Sequence, residues 1–118
     1  MEEPDFIYRV TVYLPPEFLE EMMDGIDGIM TSVYPGYTRC FNYRECTGTW
    51  RSEDGSHPYD GTPGMITVAE EIELSFICLE KDLESAVDTI RRIHPYEEPA
   101  LDIVRMVAWK SVSKRLSS

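Results

Sequence analysis

The chain has 118 residues, 42% of them hydrophobic, with 22 acidic against 11 basic side chains and a net charge of −11. That length holds one domain, 1–118, and buries roughly two thirds of the surface its unfolded form exposes, so neither disulfides nor metal are needed for stability. So acidic a body repels phosphate backbones, which argues against nucleic acid as a partner. No apolar run approaches the ~20 residues that cross a bilayer, and the opening Met1-Glu2-Glu3 lacks the basic and then apolar pattern of a secretory leader. A soluble, cytoplasmic protein with no membrane partner is expected.

All 22 acids lie at or before Asp102, while Arg105, Lys110, Lys114 and Arg115 follow it. The acidic body suits cations or basic partners, and it also serves solubility. Cys40, Cys46 and Cys78 follow no C-x-x-C spacing, so reduced thiols are expected.

In chain order, Phe6, Tyr8, Val10, Val12 and Leu14 alternate as a half-buried strand requires. Pro15 and Pro16 stop that strand, and proline is tolerated in the first turn of a helix. Phe18, Leu19, Met22, Met23, Ile26, Ile29 and Met30 then recur at helical spacing, predicting an amphipathic helix weakened near Gly25 and Gly28. Between Tyr34 and Gly64 the pattern breaks into glycines, prolines and six aromatic residues. Strands are expected over 37–43 and 47–51, and an irregular run from Ser52 to Gly64. The whole excursion, 36–64, is of a length that is usually functional or mobile.

Alternation returns from Val68, with Ile72, Leu74, Phe76 and Cys78 on one face. Leu83, Ala86, Val87, Ile90 and Ile93 form the stripe of a second helix, which Pro95 ends. A last strand is read over 100–109, with Leu101, Ile103, Val107 and Trp109 on one face, followed by a basic tail, 110–118, frayed or docked on a neighbour. The order β-α-β-β-α-β, with a core of about 6–109, specifies an α+β, ferredoxin-like sandwich with a long β2–β3 excursion.

The hexapeptide His94-Pro95-Tyr96-Glu97-Glu98-Pro99 ends a helix and turns the chain into the last strand. His94 stands where the helix dipole favours its charged form, as a cap. With the residues that follow, HPYEEPALDI resembles the end of the PII-like domain inserted in Nif-three-like (YqfO-type) proteins. Cys40, Gly48, Trp50-Arg51, Gly55, Pro58 and Gly61 stand in the order of that family's C…G-x-G-x-F-R-P…G-x-x-P…G pattern. The likeness spans about 6–104. Cys46 replaces its first glycine, Trp50 its phenylalanine and Ser52 its proline. His94-Pro95-Tyr96 followed by a proline is also similar to the tail of the divalent-cation-tolerance (CutA) proteins.

These resemblances imply a PII/CutA-like fold and a homotrimer with ligand or metal clefts between subunits. They point to Cys40, Trp50, Arg51, His94, Tyr96, Glu97 and Glu98 as ligand-binding residues. The chain is too short for the separate two-metal body of the full Nif-three-like proteins, so the hydrolase activity attributed to them does not carry over. If Cys40 and His94 meet, they are candidate ligands for a divalent transition metal, zinc or copper. The bland alternative is a buried thiol and a capping histidine. Cys46, His57, Glu97 and Glu98 are further candidate metal ligands, although the Cys40–Cys46 spacing matches no common structural zinc site. Arg39, Arg44 and Arg51 would suit a phosphate-bearing ligand. A Cys40/His94 nucleophile–base pair lacks an orienting third residue and an oxyanion hole, and no P-loop, dinucleotide or zinc-protease motif is present. The expected function is a non-catalytic, trimeric binding or sensor module for a small ligand or divalent metal. The alternative is an oligomerisation or partner-docking protein without ligand.

Overall fold

The structure, a computed structural model, describes residues 4–117, with side chains as far as Ser113. The first alternating segment forms strand β1 (Phe6–Leu14). Pro15 and Pro16 open a single 3-10 turn, Pro16–Phe18, which runs into helix α1 (Leu19–Asp27). Strands β2 (Asn42–Arg51) and β3 (Ile66–Cys78) form a hairpin. Helix α2 (Glu80–Ile93), strand β4 (Leu101–Val107) and a terminal helix α3 (Trp109–Ser117) complete the chain.

The four strands make one antiparallel sheet in the order β2-β3-β1-β4, the ferredoxin-like arrangement expected from the sequence. Val10, Val12 and Leu14 of β1 face the helices beside Leu74, Phe76 and Cys78 of β3, and all six are buried. Met22, Met23 and Ile26 of α1, with Ala86 and Ile90 of α2, close this core. Each such aliphatic or aromatic side chain contributes about 1.5–3 kcal/mol by leaving water. Gly25, a weak residue for an isolated helix, is required here by packing. A Cβ on it would lie 2.5 Å from Ile93 Cδ1, so its absence lets α1 approach α2. Arg91 and Arg92 sit in the last turn of α2, where they complement the helix dipole. His94 leaves the helix with ψ 130° and Pro95 prevents its return.

Several sequence expectations are corrected. In place of separate strands over 37–43 and 47–51 there is one strand, β2, because pairing with β3 runs unbroken from Asn42↔Ser75 to Arg51↔Ile66, and residues 37–41 lie outside it. Excursion 36–64 is therefore a connection before β2, the strand itself, and a loop over 52–65. Strand β3 begins at Ile66, two residues earlier than its alternation suggested, because β2 supplies a partner there. Helix α1 stops at Asp27, and the Gly28 N–H caps it through Asp24 O, so Ile29 and Met30 lie beyond the helix. Trp109 opens α3 and does not extend β4, and the tail, expected frayed or docked on a neighbour, is helical to Ser117. Phe6, Ile103 and Val107 are exposed, not core.

Residues 66–71 of β3 pair with β2 beyond the end of β1, whose last partner is Ile72. The two strands thus leave the body as a ribbon. The molecule measures 59 × 26 × 24 Å with a radius of gyration of 16.8 Å, against about 13–14 Å for a compact domain of this length. Among the described residues, no helix is long and apolar enough to cross a membrane.

Candidate ligand-binding site

A cavity of about 360 Å³ lies between the ribbon and the turn that follows α2. Trp50 and Glu71 enter it from the ribbon, Tyr59 and Asp60 from loop 52–65, and Tyr96, Glu97 and Glu98 from the turn. Proline on either side of Tyr96-Glu97-Glu98 limits the backbone there, which holds Tyr96 in place.

Tyr96 is the centre of an aromatic cluster. Its ring lies 5.5 Å from that of Trp50, 5.9 Å from Tyr59 and 4.8 Å from His94, centroid to centroid. Tyr59 also meets Phe18 edge-on at 5.8 Å and donates its hydroxyl to Glu17 at 3.0 Å, which ties loop 52–65 to the start of the first helical turn. The Tyr96 hydroxyl donates to Glu71 Oε2 at 3.0 Å. Burial first, and then the Glu71 carboxylate, push the Tyr96 phenol far above its usual pKa, so it remains a donor.

Glu71 is only 6% exposed. Among the described residues it has no ion pair, and no donor reaches its Oε1. Gly48 makes room for it, since a Cβ there would stand 2.0 Å from Oε1.

His94 is buried, and both ring nitrogens are engaged. Nδ1 accepts the Tyr96 backbone N–H at 3.1 Å, so Nε2 carries the proton and donates to the Tyr13 carbonyl at 2.6 Å. Burial lowers its pKa, while the Tyr13 hydrogen bond and the charge of Glu71 pull the other way without prevailing. The charged cap expected from the helix dipole is thus a neutral tether between α2, β1 and the turn. With both nitrogens occupied, the ring has no lone pair free, and a zinc or copper ion would have to displace one of its bonds.

Cys40 does not line this cavity. It is exposed, beside a smaller cavity of about 140 Å³ that Met30, Tyr34, Phe41 and Phe76 also border. No group of three or more His, Cys, Asp or Glu side chains that would hold a metal is found among the described residues. Arg51 ends β2 exposed and outside the lining. Arg39 bonds Glu20 and Asp24, and Arg44 bonds Glu73. Those two guanidinium groups already hold anionic partners. The His57 backbone N–H donates to Glu97 Oε1 at 3.4 Å.

Of the candidate residues, the structure therefore gathers Trp50, Tyr96, Glu97 and Glu98 at one cavity, with the His94 ring against Tyr96. It places Cys40 and Arg51 elsewhere. Tyr59, Asp60 and Glu71 were not singled out from the sequence. The available signal for Glu71 was an acid inside an apolar strand, but it stood in the run Glu70-Glu71 with Glu73, which reads as a solvated face.

No protein-family model matches the chain. A GTP cyclohydrolase 1 type 2 homolog of Staphylococcus epidermidis is 28% identical over 101 residues, which make up 86% of this chain and 28% of the relative. The corresponding protein of Halalkalibacterium halodurans is 27% identical over 82% of this chain and 26% of its own length. The chain thus spans about a quarter of these curated relatives. Among solved structures, a Bacillus cereus protein related to NIF3 superposes with a TM-score of 0.74 at 22% identity, over 86% of this chain and 26% of that one. CutA from Synechococcus elongatus gives 0.63 at 15% identity, over 97% and 88% of the two chains. GlnK of Bacillus subtilis gives 0.58 at 12% identity, over 86% and 85%. In sequence the chain is similar to one segment of GTP cyclohydrolase 1 type 2 homologs, and in fold it is a PII/CutA-like domain whose solved neighbours include a NIF3-related protein.

Proposed function

We propose that the chain is a non-catalytic, trimeric PII-like module that binds a small ligand or divalent cation at the cavity between its ribbon and the 94–100 turn. The observation that carries this reading is the cavity itself, lined by Trp50, Tyr59 and Tyr96 among its aromatic residues and by the buried carboxylate of Glu71. Sites that hold small molecules combine such apolar walls with a few placed polar groups. Loop 52–65 meets the cavity through Tyr59 and Asp60 and reaches the body through Phe18 and Glu17. A ligand that favours one arrangement of that loop shifts its population, and a partner protein reads the shift.

The trimer is what likeness to the PII and CutA families implies, and the shape of the subunit supports it. Met65 at the end of loop 52–65 and Ile66 and Val68 on the ribbon are 62–69% exposed, and Ile103, Val104 and Val107 of the edge strand β4 are 44–55% exposed. Apolar groups and sheet edges of this kind are commonly covered by oligomerisation. The same surfaces favour the second reading, a docking or assembly protein that binds no ligand.

An enzymatic role draws less support. The cyclohydrolase name belongs to relatives about three times as long. Here, His94 uses both nitrogens structurally and Cys40 borders a different cavity.

Native mass spectrometry of the protein as purified, before and after denaturation, tests the proposal. A trimer with releasable extra mass is the expected result. A bare monomer would overturn the trimeric reading, and a bare trimer unaffected by added metals or small ligands would leave the docking reading in its place.

A further inference from the structure

The chemistry of the cavity goes further than the presence of a site. Its lining contains Asp60, Glu71, Glu97 and Glu98 but no lysine, arginine or histidine. Glu71, 6% exposed, holds one oxygen on the Tyr96 hydroxyl and leaves the other without a donor among the described residues. No fully buried side-chain polar atom among the described residues lacks a partner, so Oε1 is open to solvent at the cavity, where a carboxylate in largely apolar surroundings is suited to a cation. None of the three ion pairs among the described residues reaches Glu71. Beside it stand Trp50, Tyr59 and Tyr96, rings whose negative faces attract cations, tryptophan most strongly.

Metal ions and organic cations make different demands on such a wall. Zinc and copper need several nitrogen, sulfur or oxygen donors converging at about 2 Å. The cavity wall is mostly apolar, and no metal-holding group of side chains is present among the described residues. An alkylammonium group needs less: one carboxylate for its charge and aromatic faces for its carbon-bound hydrogens.

We propose that the cavity recognises an organic cation, a small alkylammonium or quaternary ammonium compound. Glu71 supplies the counter-charge, and Trp50, Tyr59 and Tyr96 supply the aromatic walls. This rests on the reading of the cavity as a ligand site. Gly48 acts as a positioning residue by leaving Glu71 the space beside the ribbon.

Isothermal titration calorimetry of the full chain at constant ionic strength provides the test, with choline chloride as probe and 3,3-dimethyl-1-butanol as its neutral isostere. Choline is expected to bind at least tenfold more tightly than the alcohol. Glu71→Gln, which keeps an acceptor for Tyr96, and Trp50→Leu, which removes a ring, should each weaken choline at least tenfold. Glu70→Gln changes the adjacent carboxylate, whose position in the strand faces the other side of the ribbon, and should leave binding unchanged. Thermal unfolding of each variant shows that it is folded, and a misfolded Glu71 variant leaves Trp50→Leu to decide.

Equal binding of the alcohol, or equal loss in Glu70→Gln and Glu71→Gln, overturns the proposal. So does binding of zinc chloride or inorganic phosphate, weakened by Trp50→Leu, where choline fails. In that case the cavity remains a ligand site of other chemistry. Absence of heat with choline, zinc and phosphate alike overturns both this proposal and the ligand-site reading beneath it.

Discussion

Replacing Gly48 by alanine sets two known effects against each other. Gly48 lies inside β2, and its φ is outside the left-handed region. Alanine would therefore be stabilising by roughly 0.5–1 kcal/mol if nothing stood nearby, because it loses less backbone entropy on folding. However, a Cβ at this position lies 2.0 Å from Glu71 Oε1 and 2.8 Å from its Cδ. The carboxylate must swing away, and its 3.0 Å bond from the Tyr96 hydroxyl is lost. A hydrogen bond to a charged group contributes about 1.5–3 kcal/mol. The loss outweighs the gain by about 1–2 kcal/mol, a fall in Tm of about 4–8 °C for a domain of this size. Thermal unfolding at one fixed protein concentration measures it, since self-association of any kind makes Tm depend on concentration. Adding Tyr96→Phe completes a double-mutant cycle. The phenylalanine should cost about 1.5–3 kcal/mol when Gly48 is retained and almost nothing in the Gly48→Ala background, because the bond is already gone there. A Tm that rises with Gly48→Ala, together with an unchanged cost of Tyr96→Phe, would refute the coupling of Gly48, Glu71 and Tyr96.

Two further outcomes follow from buried groups. Because folding lowers the His94 pKa from its usual 6.5, the unfolded chain binds the proton more readily, and stability rises with pH. The His94 contribution is complete above pH 6.5 and is lost as pH falls through 6.5 towards the folded pKa. Urea midpoints should therefore drop between about pH 7.5 and about pH 5, and by less in His94→Gln; an equal drop in both proteins would remove His94 as the cause. Cys78 is fully buried in the core, and burial pushes its thiol up to about 11. A thiol-specific reagent at about pH 8 should leave Cys78 unmodified until urea unfolds the protein, while exposed Cys40 reacts in the folded state. Equal modification of the two in folded protein, located by peptide mass spectrometry, would contradict the core assignment.

The legible parts of the chain are those governed by local periodicity. Val10, Val12 and Leu14, and later Leu74, Phe76 and Cys78, declared their common face because a strand alternates and one side of this sheet is covered. Met22, Met23 and Ile26 did the same at helical spacing. Errors came where the partner decided. Tyr37–Tyr43 has the composition of a strand, yet only residues from Asn42 onward find β3. Trp109 continued the alternation of β4, but the pairing of β4 with β1 ends at Phe6↔Val107.

Trp50, Tyr96, Glu97 and Glu98, which the family resemblance pointed to through two separate motifs, line one cavity. Glu71 was not legible, because its neighbour Gly48 is 23 positions away and meets it only through the hairpin register Cys46↔Glu71 and Gly48↔Ala69. His94 was misjudged for the same reason. The helix dipole is a local property that favours charge, whereas burial against Tyr13 and Tyr96 is a tertiary one that removes it.

By itself, then, the sequence determined the element order, the two amphipathic helices, the inward face of the sheet and the proline-framed turn, since each is set by residues within a few positions of one another. Only tertiary structure decided the extent of β2, the burial of Glu71 beside Gly48, the tautomer of His94 and the gathering of Trp50, Tyr59 and Tyr96. Those depend on contacts between distant segments, which hydrogen-bond register and burial select and local composition does not encode.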